Sequence, residues 1–148
     1  MHPLRWLLVA AVGLYCLWSL FTSGATAAWK LNLYELPAAR AQYEVLMAGT
    51  PWLQLAVWWT AIALYVISAL RLARGLPGAA AFVLAFTLDV ASYAWSRLFG
   101  AYDEAVGGAI TYDYFIIAAL ALAGAYMWST ERGPRRTRVT PRSPVALT

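Results

Sequence analysis

One polar stripe in the sequence has residue types that could handle a proton or a cation. Asp89, Ser92, Tyr93 and Ser96 are spaced i, i+3, i+4 and i+7, which places their side chains along one face of a helix. Asp89 is the one charged residue of the stretch 76–96, and a charge at that depth in lipid costs about 2.5–3.5 kcal/mol. We therefore expect this face to turn towards protein or water, and we predict an intramembrane polar site around Asp89.

A second polar stripe lies in the first apolar segment and could face the first one. Its hydroxyl side chains recur at i, i+4, i+7, i+8 and i+11, so they also share one helix face. We expect hydroxyl groups from this stripe to hydrogen-bond with Asp89, and we include Ser19 and Thr22 in the predicted site. The alternative is that the hydroxyls only help to pack the helices. The stripe consists of Tyr15, Ser19, Thr22, Ser23 and Thr26.

Two further charged residues are placed to form an ion pair. Arg97 lies two turns beyond Asp89 on the same predicted helix, and Asp113 opens the next one. Consecutive helices joined by a short connection pack antiparallel, so these two side chains should lie at the same depth. We predict an Arg97–Asp113 ion pair at the membrane interface.

The residue types present do not support metal, haem, disulfide or nucleotide chemistry. The chain has one cysteine, Cys16, and one histidine, His2, which is too few for an internal disulfide or a typical metal or haem ligand set. Neither of the common glycine-rich phosphate-binding motifs occurs. We expect no cofactor, no metal and no catalytic residue. Asp89 with Tyr93 leaves open an acid–base pair that acts on a lipid or quinone.

Composition excludes a water-soluble globule and indicates a membrane protein. Of the 148 residues, 62% are hydrophobic and 12% are charged, against roughly 45–50% and about 25% in soluble domains. The apolar runs are also longer than a soluble core helix requires. The bilayer is therefore the expected solvent for most of this chain.

Charged residues mark the ends of four apolar segments, so we predict an all-α membrane protein with four transmembrane helices in an antiparallel bundle. A span needs about 20 residues, and helical spacing from Leu36 to Met47 adds a short interfacial helix that Pro37 could open. Residues 1–130 form the transmembrane domain, and residues 131–148 a basic tail that we expect to be disordered. The predicted spans are about 5–29, 51–72, 77–98 and 110–129.

The arginines predict the orientation of this bundle. Eight arginines lie on one side of the predicted bundle, against Lys30, Arg40 and Arg97 on the other. Under the positive-inside rule both termini are cytoplasmic, and we expect a multi-pass protein of a bacterial inner membrane. Residues 1–27 also resemble a signal peptide with an A-x-A site at 25–27, which leaves cleavage open. The cytoplasmic arginines are Arg5, Arg71, Arg74, Arg132, Arg135, Arg136, Arg138 and Arg142.

The same arginines bear on the expected partners. Arg132, Arg135, Arg136 and Arg138 could bind anionic lipid headgroups, although setting topology alone would also explain them. No folded basic face with interleaved aromatic residues occurs, so we expect no nucleic acid among the partners. Membrane lipids, and either other integral membrane subunits or a second copy of the chain, are the partners that we predict.

Two function hypotheses from different classes follow. In the first, the chain is a non-catalytic accessory or assembly subunit of a larger membrane complex, because cofactor ligands are absent while eight tryptophans are present. In the second, it is a small proton- or cation-coupled transporter or channel in which Asp89 is the ion site. Exchanging Asp89 for asparagine separates them, because only the second requires the carboxylate.

Overall fold

The computed structural model describes residues 3–99, 102 and 110–132, and these ranges are helical with short connections and no strand. Long helices follow the predicted spans, whose ends differ from the observed ones by at most three residues. An all-helical chain is therefore confirmed for the described ranges. The elements are α1 (Pro3–Lys30), a short 3-10 helix (Ala38–Arg40), α2 (Gln42–Gly49), α3 (Trp52–Ala73), α4 (Ala79–Phe99) and α5 (Ile110–Arg132).

Three of these helices are long and apolar enough to cross a membrane: α1, α3 and α4. They contain 28, 22 and 21 residues, which at about 1.5 Å per residue gives lengths of about 42, 33 and 32 Å. The hydrocarbon core of a bilayer is about 30 Å thick. The described helices are thus consistent with the predicted membrane protein.

The four long helices pack in the order α1, α3, α4, α5. Helix α3 packs against both α1 and α4, α5 packs against α4, and α2 contacts α1. Tyr65 and Phe82 are the largest fully buried side chains, and their rings meet edge to face at 5.1 Å between centroids. Gly124 of α5 allows the close approach to α4, because a Cβ at this position would lie 3.1 Å from the Phe82 ring.

The turn between α3 and α4 has a specific backbone geometry. Gly75 adopts a positive φ of 80°, which glycine reaches without the steric cost that other residues have. Its N–H bonds the carbonyl of Leu72, and the N–H of Leu76 bonds the carbonyl of Arg71 at 2.8 Å. This is a Schellman motif, which satisfies the last carbonyls of α3 and reverses the chain.

The segment between α1 and α3 differs from the prediction of one short interfacial helix. Pro37 is followed by a single 3-10 turn at 38–40, and α2 then begins separately at Gln42 and runs for eight residues. No side chain caps the start of either piece. Backbone bonds from Ala41 to Ala38 and from Glu44 to Ala41 close the turns on either side of the break.

Candidate functional site

Asp89 lies at the point where α1, α3 and α4 meet. Its Oδ2 accepts a hydrogen bond from the hydroxyl of Tyr15 on α1 and a longer one, 3.4 Å, from the hydroxyl of Tyr65 on α3. The Tyr15 and Tyr65 rings pack edge to face at 5.6 Å. The carboxylate on α4 is therefore held by one tyrosine from each of the two long helices that precede it.

The expectation that hydroxyls of α1 reach Asp89 applies to Tyr15, but Thr22, Ser23 and Thr26 donate to carbonyls of their own helix. Thr22 donates to the carbonyls of Trp18 and Ser19, both at 3.1 Å, and Ser23 donates to the carbonyl of Ser19 at 2.7 Å. The reason is reach: a short hydroxyl side chain readily bonds the carbonyl three or four residues back, whereas a tyrosine spans the gap to the next helix.

Tyr65 was not predicted as a partner of Asp89, although a signal for it exists. It belongs to a helical stripe on α3 together with Gln54, Trp58 and Ser68, which reads most simply as a packing face. Its position, midway along α3, places a hydroxyl at the depth of Asp89. The signal that could have identified Tyr65 is therefore its hydroxyl group, which lies on a buried helix face at the depth of Asp89.

Gln54 was also missed as a site residue, and it fixes the carboxyl-terminal part of the polar stripe on α4. Its Nε2 donates to the carbonyl of Ser92 at 3.0 Å and to the hydroxyl of Ser96. Gln54 and Ser92 are both buried. A shift of α3 along α4 would break both bonds and leave the buried amide of Gln54 unpaired, which is costly in free energy. The two bonds therefore hold α3 and α4 in one register.

The predicted ion-pair residues belong to a cluster of tyrosines. Arg97 donates to the hydroxyls of Tyr93 at 3.0 Å and Tyr114 at 3.5 Å, while Asp113 accepts a 2.5 Å bond from Tyr102. Burial, and then the hydrogen bond and the negative charge of Asp113, raise the pKa of Tyr102. The direct Arg97–Asp113 pair stays a prediction. The Tyr93 ring beside Arg97 and the Tyr102 ring beside Asp113 meet edge to face at 5.4 Å.

All six residues predicted for the intramembrane polar site line one cavity. Its volume is about 680 Å³, and it extends from Asp89, midway along α4, to the segment 34–50 that connects α1 with α3. We call this end of the bundle the α2 end. The predicted residues are Ser19, Thr22, Asp89, Ser92, Tyr93 and Ser96, and other described lining residues include Tyr15, Trp18, Arg40, Gln54, Trp58, Tyr102 and Asp113.

The opposite end of the bundle is held by polar bonds that the sequence did not suggest. Glu131, near the end of α5, accepts hydrogen bonds from the backbone N–H groups of Gly78 at 2.5 Å and Ala79 at 2.9 Å. These are free N–H groups at the start of α4, and a carboxylate there interacts favourably with the helix dipole. Arg5 donates to the carbonyl of Leu72, which connects α1 to the end of α3.

The predicted headgroup-binding arginines are described only in part. Arg132 stacks on the ring of Trp128, with its guanidinium carbon 4.3 Å from the ring centroid. Arg135, Arg136 and Arg138 lie outside the described residues. Contact of these side chains with lipid headgroups stays a prediction.

The site is thus a cavity with a hydrogen-bonded carboxylate, a group that can in general accept and release a proton. Within the described ranges, no three metal-ligating side chains lie close enough together to hold a metal ion. No protein family model, curated protein or solved structure matches this chain.

Proposed function

We propose that this chain is a small proton- or cation-coupled transport protein in which Asp89 is the ion site. The observation that carries the proposal is the cavity of about 680 Å³ that runs from the α2 end to Asp89. A carboxylate inside a membrane helix has a high free-energy cost, so such residues are rare and usually have a function. They typically mark ion and proton paths. A buried polar network that served packing alone would not need a cavity of this size beside it.

The proposal includes a fourth span and an orientation. Helix α5 has 23 residues, or about 35 Å, and its residues Ile116, Ile117 and Leu120 form part of the cavity wall. With four spans and the arginine bias, both termini are cytoplasmic in a bacterial inner membrane. The cavity then faces the outside, with α2 and the 3-10 turn lying at the membrane surface above it.

Two buried aromatic rings lie on the side of Asp89 that faces the α3–α4 turn. Phe82 lies two turns before Asp89 on α4 and packs on the Tyr65 ring. Both side chains are fully buried. In the proposed cycle these rings move to let the ion continue beyond Asp89, which is the behaviour of a carrier rather than of an open channel.

Proton flux into liposomes tests the proposal. The full-length protein is reconstituted with a pH-sensitive dye inside, and a potassium diffusion potential drives proton entry. We expect flux above that of empty liposomes, at least a tenfold reduction for Asp89→Asn, and no change for Glu44→Gln, which removes an exposed carboxylate on α2. Equal flux for the wild type and Asp89→Asn, in samples that elute identically on size exclusion, would rule out Asp89 as the ion site.

The accessory-subunit hypothesis also keeps a specific observation in its favour. Helix α1 packs on α3 and α2, and its other face exposes Leu7, Leu14 and Leu17, each more than 60% accessible. Lipid, a second copy of the chain or a partner subunit could cover this face. Purification in mild detergent at native expression, followed by mass spectrometry, should recover one partner in fixed proportion if the hypothesis holds.

A further inference from the structure

The cavity is much larger than a proton or a bare metal ion requires. Its volume of about 680 Å³ falls in the range of about 300–1,000 Å³ that is typical of sites for drug-sized molecules. A single water molecule has a share of about 30 Å³ in the liquid. The space beside Asp89 can therefore hold an organic molecule, and the properties of its wall indicate which kind.

The charges on the wall favour a cation. Among the described lining residues, the charged side chains are Asp89, Asp113 and Arg40. Asp113 belongs to the tyrosine cluster that also includes Arg97, so the charge that favours a cation is that of Asp89. Arg40 lies in the connecting segment at the α2 end, whereas Asp89 lies at the deep end. An organic cation that enters from the α2 end would move away from the positive group and towards the deeper carboxylate.

The hydrogen bonds of Asp89 leave its charge available to a ligand. Tyr15 and Tyr65 donate to the same oxygen, Oδ2, and both are hydroxyl donors without a positive charge. Within the described part of the chain, the side chains that act on this carboxylate are these two tyrosines, and no arginine or lysine is among them. A cation bound beside Oδ1 would thus supply the positive partner that the protein does not place there.

Aromatic side chains form much of the remaining surface. Trp18, Trp58 and Tyr93 line the cavity between the deep end and the α2 end, and Phe86, one turn before Asp89 on α4, lines the deep end itself. Aromatic faces attract organic cations through their electron-rich π systems and also shield the apolar body of such a ligand. A carboxylate at one end of an aromatic-walled space is a suitable site for a cation with a bulky apolar body.

We infer that this cavity binds an organic monocation with a bulky apolar body, with its positive charge beside Asp89 and its apolar groups against the aromatic walls. The inference rests on the proposed role of Asp89 as the ion site, and it adds the class of substrate. Tetraphenylphosphonium is a suitable probe, and tetraphenylborate has the same shape with the opposite charge.

Equilibrium dialysis of the full-length protein in detergent micelles measures the binding directly. We expect saturable binding of tetraphenylphosphonium, with at most about one molecule per chain, and no saturable binding of tetraphenylborate beyond that of empty micelles. Asp89→Asn should weaken the binding at least tenfold, whereas Glu44→Gln should leave it unchanged. The comparison of the two ions on the wild-type protein needs no variant, so it holds even if Asp89→Asn does not fold.

Three results would overturn the inference. The first is the absence of saturable tetraphenylphosphonium binding to the wild-type protein, and the second is saturable binding of tetraphenylborate that is equally tight. The third is an unchanged affinity in a folded Asp89→Asn variant. Proton flux separates this failure from that of the proposed function. Flux that depends on Asp89 without binding of tetraphenylphosphonium overturns only the substrate class, whereas Asp89-dependent binding without flux supports the cation site and overturns transport.

Discussion

At the scale of single residues, Asp89 depends on two tyrosines that are not equivalent. Tyr15 makes the closer hydrogen bond to Oδ2, and the hydroxyl of Tyr65 lies 3.4 Å away, at the far limit of a useful bond. Tyr65 is fully buried and packs on Phe82. The hydroxyl of Tyr15 therefore contributes more to the hydrogen bonding of Asp89, and Tyr65 contributes more to packing.

We predict that Tyr15→Phe lowers the free energy of unfolding by about 1 kcal/mol and that Tyr65→Phe lowers it less. Both substitutions keep the aromatic ring and remove only the hydroxyl, so each serves as the matched control for the other. Unfolding in mixed detergent and dodecyl sulfate micelles, followed by circular dichroism, gives the two values. A larger loss for Tyr65→Phe would show that the longer bond is the stronger one.

A second residue-scale prediction concerns Tyr102, whose hydroxyl donates to Asp113. Burial and the neighbouring carboxylate raise its pKa in the folded protein above the ordinary value of about 10. The contribution of this contact to stability is thus fully present below about pH 10. It is lost as the pH rises through the folded pKa, because a phenolate cannot donate the bond and is repelled by Asp113.

Absorbance of the phenolate between pH 8 and 13 measures this shift. The chain has nine tyrosines, so the titration of Tyr102 is obtained as the difference between the wild type and Tyr102→Phe. We expect the difference curve to have its midpoint clearly above pH 10. A midpoint at or below 10 would mean that Tyr102 does not make this contact in the folded protein.

The residues of the site show how far the sequence could predict it. Helical spacing identified the face of Asp89 and the face of Tyr15, because both stripes are local in the chain and follow from the period of 3.6. The same spacing does not determine how far neighbouring helices rotate about their own axes. Tyr65 and Gln54 therefore appeared as packing residues until the structure placed them against Asp89 and Ser92.

At the scale of elements, the start of α4 approaches the backbone of α3 very closely. A Cβ on Gly78 would lie 2.9 Å from the carbonyl oxygen of Ser68 and 3.1 Å from its hydroxyl. The Ser68 hydroxyl also donates to the carbonyl of Gly78 at 3.0 Å. A side chain at this position would force α3 and the start of α4 apart.

We predict that Gly78→Ala lowers the free energy of unfolding by about 1–3 kcal/mol, the usual cost of overpacking. Gly24→Ala is the matched control, because nothing lies within 4 Å of a Cβ at Gly24 in α1. There the gain in helix propensity should stabilise the protein by up to about 1 kcal/mol. Equal effects of the two substitutions in the same unfolding assay would contradict the close approach.

The elements also differ in how well the sequence predicted them. The long helices were placed to within three residues because charged and turn-forming residues mark where each apolar run ends. The segment after Pro37 was harder to predict, because an eight-residue helix without a capping side chain has weak local sequence signals. The bond from Glu131 to the start of α4 joins residues more than 50 positions apart, and no local pattern indicates such a contact.

At the scale of the whole molecule, the number of spans decides what the cavity faces. Helices α1, α3 and α4 meet the length and hydropathy of a span, and α5 completes the cavity wall. If α5 crosses the membrane, both termini lie on one side and the α2 end lies on the other. If it does not, the carboxyl end lies on the same side as the α2 end.

Labelling of single cysteines in intact cells distinguishes these arrangements. In a Cys16→Ala background, Leu33→Cys lies between α1 and α2, and Leu76→Cys lies between α3 and α4, both at exposed positions. We expect a membrane-impermeant maleimide to label the cysteine at 33 in intact bacteria, and that at 76 only after permeabilisation. The two substitutions are matched because each replaces an exposed leucine in a connection between helices. The two connections lie at opposite ends of the bundle.

A third substitution, Ser143→Cys in the basic tail, tests the fourth span by itself. Four spans and the arginine bias predict that this cysteine behaves like the one at 76 and stays protected in intact cells. Labelling at 143 together with 33 would leave three spans and would remove α5 from the membrane. The cavity would then lack a membrane-embedded wall on that side, and Asp89 would be exposed to lipid. The free-energy cost of a charged side chain in hydrocarbon makes that arrangement unfavourable.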